Sequence, residues 1–154
     1  MFKDHNIFIF DYDFNRDKLL TEFKRNYGKF ESYNDPRGSL DNFQVARHIN
    51  FDYADELCRT FNVNGKPRFY IVKANSELPQ HSDHGTLCSI NVLLTDNPSP
   101  IQFGNNEYVY MQSLLNTQNM HGVINGNEDR LLFKLSIFDE SFETVADKIK
   151  RVVY

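Results

Sequence analysis

Two hydrophobic periods divide the chain. Ile7-Phe8-Ile9-Phe10 is a short apolar run stopped by Asp11-Tyr12-Asp13, and its length and β-branched or aromatic content predict a strand. Leu19, Leu20, Phe23, Tyr27 and Phe30 then fall at helical spacing, with Asn15 or Asp17 placed to cap the first turn and Gly28 near the end. Tyr33-Asn34-Asp35-Pro36-Arg37-Gly38 is turn chemistry. The span from Asn34 to Asn50 has little pattern and reads either as a lid over a site or as a loop packed against a sheet. A second helix is predicted from Asp52 to Phe61, where Tyr53, Leu57 and Phe61 make an i, i+4, i+8 stripe closed by Asn62-Val63-Asn64-Gly65.

From Pro67 the period becomes two. Arg68 to Lys73 reads as a strand, then comes a loop around His81, then Leu87 to Leu94 as another strand. Asp96-Asn97-Pro98-Ser99-Pro100 is a loop, and Ile101 to Phe103 and Glu107 to Met111 flank Gly104-Asn105-Asn106, a hairpin signal. Leu114 to Asn116 and Met120 to Ile124 are further short strands. Leu131 to Phe138 is the strongest strand, and a helix from about Ser141 to Val152 follows it. Helices first, many short strands next and one closing helix predict an α+β chain with a mainly β core, a compact sandwich or barrel.

Composition narrows the classes. A length of 154 residues fits one domain, 1–154, and fourteen Phe and eight Tyr with no Trp predict an aromatic-rich core. Cys58 and Cys88 lack metal-ligand spacing, so reduced thiols and a cytoplasmic location are expected. The apolar run at Ile7 is too short for a signal peptide or a membrane span, so no membrane partner is expected. A net charge of −4 gives no overall drive toward phosphate backbones, which speaks against nucleic acid as a partner. Oligomeric state is not written in these features.

The candidate chemistry begins at Leu78-Pro79-Gln80-His81-Ser82-Asp83-His84-Gly85. Chance alone gives about 0.4 His-x-Asp tripeptides in such a composition, so context decides. In extended backbone, positions i and i+2 project to one side, so His81 and Asp83 converge on one ion while Ser82 points away. Imidazole nitrogen and carboxylate oxygen suit divalent iron, and a third ligand leaves positions open for a co-substrate and dioxygen. His121 is the candidate third ligand. If Met120 to Asn125 pairs with Arg130 to Leu135 as a hairpin closed by Gly126-Asn127-Glu128-Asp129, then His121, Val123, Arg130, Leu132, Lys134 and Ser136 share a face. Leu131, Phe133, Leu135 and Ile137 make the other face, wholly apolar, as where helices cover a sheet. The mixed face then looks into a pocket in which Arg130 needs an anion, and its planar fork suits a carboxylate.

Phe69-Tyr70-Ile71, Leu78-Pro79-x-His81-x-Asp83, Ser89-Ile90-Asn91-Val92-Leu93-Leu94, and Asn116-x-x-x-x-His121-x-Val123-x-Asn125 ending in Asp129-Arg130-Leu131 resemble a known family. It is the iron(II)- and 2-oxoglutarate-dependent oxygenases, nearest to the aspartyl/asparaginyl β-hydroxylase-like branch. The resemblance spans Pro67 to Phe138. It implies a double-stranded β-helix (a cupin-like jelly roll) with N-terminal helices and one C-terminal helix packed on the sheet. It implies that His81, Asp83 and His121 are the metal ligands and thereby the catalytic residues, and that Arg130 pairs with the distal carboxylate of 2-oxoglutarate. The cofactor set is then Fe(II) with 2-oxoglutarate as co-substrate, and the activity that of an oxidoreductase: a dioxygenase, usually a hydroxylase, acting on a peptide or protein side chain or on a small molecule. Asp83 departs from the aspartyl hydroxylases that lack the acidic ligand and is closer to the prolyl hydroxylase pattern. Tyr70, Ser89, Asn91 and Ser136, with Lys73 and Lys134, are further candidates to reach the co-substrate. His84 reads as an exposed loop residue or a contact near the substrate, His5 and His48 as structural or exposed, and Cys58 and Cys88 as core thiols. The alternative is a non-catalytic jelly-roll module that binds a structural metal or another ligand.

Overall fold

Short strands with unlike faces need cover on one side and a partner sheet on the other, and both needs are met in the computed structural model, which describes residues 1–35, 38–96 and 99–154. Its elements in chain order are β1 (Phe2–Lys3), β2 (Ile7–Ile9), α1 (Arg16–Arg25), a single 3₁₀ turn at Tyr27–Lys29, β3 (Glu31–Asp35), β4 (Gly38–Ala46) and α2 (Asp52–Phe61). They continue as β5 (Gly65–Val72), β6 (Glu77–His81), β7 (Cys88–Leu93), β8 (Ile101–Phe103), β9 (Asn106–Tyr108), β10 (Gln112–Leu115), β11 (His121–Ile124), β12 (Arg130–Ile137) and α3 (Phe142–Val153). The chain is thus mainly β with three α-helices. None of these helices is long and apolar enough to cross a membrane.

The helix ends follow local chemistry. Of the two cap candidates for α1, Asn15 serves: its side-chain oxygen accepts the Lys18 amide at 3.1 Å. Asn62, with φ 55°, takes the left-handed turn that closes α2. Ser141 caps α3 by accepting the Thr144 amide.

All strand pairings are antiparallel. A large sheet runs β1-β2-β10-β7-β12-β5-β4-β3 and a small one β6-β11-β8-β9. The outer face of the large sheet carries Phe69, Ile71, Phe133, Leu135 and Ile137, which pack against Leu19 and Phe23 of α1, Leu57 and Phe61 of α2, and Val145 and Ile149 of α3. The inner face contributes Tyr70, Val72, Leu93, Leu115 and Leu132 to a second apolar cluster with Leu78, Ile101, Phe103 and Val123 of the small sheet. Most of the phenylalanines lie in the helix-covered layer, with Phe51 stacked on Phe69 at 5.8 Å and Phe69 against Phe133 at 5.6 Å. The space between the sheets is therefore free to hold polar groups.

Three expectations change. The span from Asn34 to Asn50 is not a plain loop where it is described: β3 and β4 extend the large sheet beyond β5. A register shift between Ser32 and Tyr33 breaks the alternation that would have marked these strands. Pro36 and Arg37 of the expected turn, and Asn97 and Pro98 of the expected loop, lie outside the described residues. His81 is the last residue of β6 and not a loop residue. The hairpin expected between Met120–Asn125 and Arg130–Leu135 does not form: β11 pairs with β6 and β8, and β12 with β5 and β7. Residues 125–129 carry the chain from the small sheet to the large one. Asn125 fixes that crossing by donating to the carbonyls of Val72, Lys73 and Glu128 at 3.1, 3.0 and 2.8 Å. The parity on β12 still holds, with Leu131, Phe133, Leu135 and Ile137 toward the helices and Leu132 in the cluster between the sheets.

Gly122 allows β11 and β6 to meet closely. A Cβ there would lie 2.5 Å from the Leu78 carbonyl oxygen and 2.9 Å from the Gln80 nitrogen, beside the register shift between His121 and Val123. Gly122→Ala is expected to destabilise the protein by about 2 kcal/mol or more, because the contact is with backbone that has nowhere to move. A thermal or urea midpoint equal to wild type would refute this.

Candidate metal centre

His81 ends β6, His121 begins β11, and the two are direct partners across the antiparallel ladder. Their ring centroids are 4.6 Å apart. Asp83 sits two residues beyond the strand end, where its amide donates to the Thr117 carbonyl at 2.9 Å. One carboxylate oxygen lies 3.3 Å from His81 Nε2 and 3.5 Å from His121 Nε2. One ligand atom from each of the three residues falls within 4.8 Å of the others, the one such group among the described residues.

Each imidazole is aimed by its other nitrogen. Nδ1 of His81 meets the Pro79 carbonyl at 2.9 Å and Nδ1 of His121 the Asn119 carbonyl at 2.7 Å. A carbonyl only accepts, so Nδ1 carries the proton in both rings and each Nε2 lone pair points to the shared centre. The turn between β10 and β11 organises the group from behind. Thr117 holds the Asp83 amide, the Gln118 side chain donates to the Asp83 and Thr86 carbonyls at 3.2 and 2.7 Å, and Asn119 holds His121. That turn is in turn tied to the amino-terminal segment. The Asn119 side chain donates to Asn6 Oδ1 at 2.8 Å, and the Asn116 side chain to the His5 carbonyl at 2.9 Å.

Electrostatics suit a cation. Burial alone would raise the Asp83 carboxyl, but the contact with His81 and the positive charge of Lys134 outweigh it and hold the group below its usual range. Burial lowers His121 to about 4, only partly opposed by Asp83 and the Asn119 carbonyl, so its ring is neutral at neutral pH and able to ligate. This has a consequence for stability. The unfolded chain protonates His121 near 6.5 and the folded one only near 4, so in that window the unfolded state binds more protons. Metal-free protein is expected to lose stability as pH falls from about 6.5 to about 4, by on the order of 3 kcal/mol from this residue. Urea midpoints across that range would measure it, and a profile that His121→Gln leaves unchanged would refute the cause.

A cavity of about 350 Å³ opens beside His81 and Asp83. Tyr33, Phe43, Arg47, Arg68, Tyr70, Leu78, His81, Asp83, His84, Thr86, Ser89, Lys134 and Ser136 line it. Tyr70, Ser89 and Ser136 thus share the space next to His81 and Asp83, and exposed His84 lines it too. Lys134 lies with its ammonium 4.6 Å from the centre of the Tyr70 ring. Asn91 is buried directly behind, accepting from Ser89 Oγ at 2.8 Å and donating to the Tyr110 hydroxyl at 3.2 Å. Lys73 does not line the cavity.

Arg130 is placed differently. It is wholly buried on the inner side of β12, its Nη1 donates to the Ser99 carbonyl, and its guanidinium lies 5.4 Å from the Tyr110 ring centre. It does not line the cavity, yet among the described residues its Nε and Nη2 have no hydrogen-bond partner. Arg47 and Arg68 were not singled out by sequence. Arg68 was within reach, since it lies two residues from Tyr70 on β5 and so shares its face. Arg47 was not, because it follows the irregular β4.

No family model and no curated protein matches the chain. Solved structures do. A Pseudomonas putida prolyl-4-hydroxylase is 12% identical, with a TM-score of 0.68 over 87% of this chain and 93% of that one. A viral collagen prolyl hydroxylase from Paramecium Bursaria Chlorella virus-1, in complex with 2-oxoglutarate, is 9% identical, with a TM-score of 0.62 over 86% and 94%. HygX from Streptomyces hygroscopicus, with nickel and 2-oxoglutarate bound, is 12% identical, with a TM-score of 0.58 over 85% and 82%. At such identities the likeness establishes a shared fold, that of prolyl hydroxylases and other 2-oxoglutarate oxygenases.

Proposed function

We propose that this chain is an iron(II)- and 2-oxoglutarate-dependent dioxygenase, one domain over 1–154, that hydroxylates a peptide side chain or a small molecule. The observation that carries the proposal is the meeting of His81, Asp83 and His121 at the ends of two paired strands. Two imidazoles and one carboxylate on one side of an ion are the donor set of non-haem iron oxygenases. Both rings are already turned to present Nε2, so the residues present fit that metal. The strand order supports a double-stranded β-helix. From β5 onward the chain supplies β5, β7, β10 and β12 to one sheet and β6, β8, β9 and β11 to the other. Within the superfamily, Asp83 weighs toward the prolyl hydroxylase pattern, and the assignment to the aspartyl/asparaginyl branch rests on the His121 to Arg130 run alone.

When bound, iron(II) supplies dioxygen activation coupled to the oxidative decarboxylation of 2-oxoglutarate to succinate. The chain's own groups hold and orient. Arg130, with Nε and Nη2 unpartnered, is the proposed counter-ion of the distal carboxylate. Tyr70, Ser89 and Ser136 offer hydroxyls in the cavity, and Asn91 orients Ser89. Lys134 is the competing cation for the same carboxylate, since it lines the cavity and Arg130 does not. Free thiols at Cys58 and Cys88 are consistent with a cytoplasmic setting.

Purified protein supplied with Fe(II), ascorbate and 2-oxoglutarate is expected to form succinate, slowly in the absence of the prime substrate. The contact of Arg130 with Ser99 favours one alternative, a jelly-roll module that binds metal or another ligand without turnover. Metal binding with no succinate, and no thermal shift on adding 2-oxoglutarate, would establish that alternative in place of the oxygenase.

A further inference from the structure

The cavity beside His81 and Asp83 continues outward. A second groove of about 410 Å³ shares Arg47 and Arg68 with it and adds His48, Ile49, Asn50, Lys66, Pro67 and Phe138. It opens because the pairing of β4 with β5 ends at Ala46 and Phe69, after which residues 47–50 diverge from the start of β5. Among the described residues no Asp or Glu lines this groove, and Asp83, a proposed ligand, is the one acidic residue lining the inner cavity. The chain as a whole is acidic, with 21 Asp and Glu against 17 Lys and Arg, so the path from the surface to the ligands runs against the overall balance.

The two shared arginines are held without being neutralised. Arg47 lies with its guanidinium carbon 5.6 Å from the Tyr33 ring centre and Arg68 5.4 Å from that of Phe138. Among the described residues neither these arginines nor Lys66 forms an ion pair. Rings under the guanidinium planes restrict the two side chains while leaving their edges open to carboxylates.

We infer that the prime substrate is an acidic polypeptide segment, laid along Arg47, Lys66 and Arg68 so that one side chain enters the cavity at His81 and Asp83. This deepens the oxygenase reading and rests on it for what happens at the inner end. A small anion would need only the inner cavity, whereas the cationic lining continues outward to Lys66. A nucleic acid is less suited, because its regular charge spacing would carry phosphates beyond three cations on a chain whose net charge is −4.

The test is binding to the full-length, metal-free protein, so that it does not depend on turnover. Fluorescence anisotropy would compare a labelled peptide of alternating glutamate and glycine, its lysine counterpart, and an oligothymidylate of similar length. The acidic peptide is expected to bind, the lysine peptide not, and affinity is expected to fall as salt rises. The Arg47→Glu, Arg68→Glu double variant should bind the acidic peptide about tenfold more weakly or worse. Lys66→Glu alone should weaken it measurably, which keeps the test decisive if the double variant does not fold. Equal binding of both peptides, variants that bind like wild type, or tighter binding of the oligonucleotide would overturn the inference. Succinate formation in such a case would leave the oxygenase reading standing, and its absence with acidic-peptide binding intact would do the reverse.

Discussion

Asp83→Ala is expected to abolish succinate formation and to weaken iron(II) binding by more than about a hundredfold, since loss of even an outer-shell partner commonly costs ten- to hundredfold. Asp83 is the one anion in the candidate ligand group, and a single oxygen lies between both imidazoles. Without it the ion would face two neutral rings and the ammonium of Lys134, whose charge is felt at the site. Asp83→Glu should be nearly as damaging, because the added methylene pushes the carboxylate past a position set by the Asp83 amide on Thr117. Iron titrations and succinate assays on both variants measure this. Wild-type-like metal binding and turnover in Asp83→Ala would remove these three residues as the centre.

Arg130→Met is expected to divide stability from function. Among the described residues the wholly buried guanidinium has no partner for Nε or Nη2, and its charge lies against a ring and a carbonyl. An uncompensated buried charge costs several kcal/mol, so an apolar side chain of similar volume should stabilise the ligand-free fold by about 1–3 kcal/mol. The same change removes the proposed partner of the distal carboxylate, so the thermal shift produced by 2-oxoglutarate should disappear. Lys134→Met supplies the contrast. If the shift survives in Arg130→Met and is lost in Lys134→Met, the carboxylate belongs to Lys134. If ligand-free Arg130→Met is markedly less stable than wild type, the arginine is structural and the proposal for it falls.

Much of this was open to reading because side chains alternate strictly where both faces of a sheet are buried. Along β12 the apolar set Leu131, Phe133, Leu135 and Ile137 announces a helix-covered face, and the set from Arg130 to Ser136 a polar interior. The helices were legible for the same reason, with α2 found at its observed bounds. Sheet membership was not. His121 and Arg130 were assigned to one hairpin, whereas residues 125–129 cross between sheets, and nothing local separates a crossing from a loop when Asn125 does the fixing through carbonyls far along the chain. The strands β3 and β4 were lost to a register shift that breaks their alternation. Arg47, which depends on where β4 ends, was lost with them.

Asn6, Asn116 and Asn119 join the amino-terminal segment to His121, one of the three candidate ligands, through a chain of hydrogen bonds. Removing this segment is therefore expected to disturb His121, more than a hundred positions away in sequence. A version of the protein shortened past Asn6 would keep all three candidate ligands and is expected to bind iron(II) more weakly than the full chain.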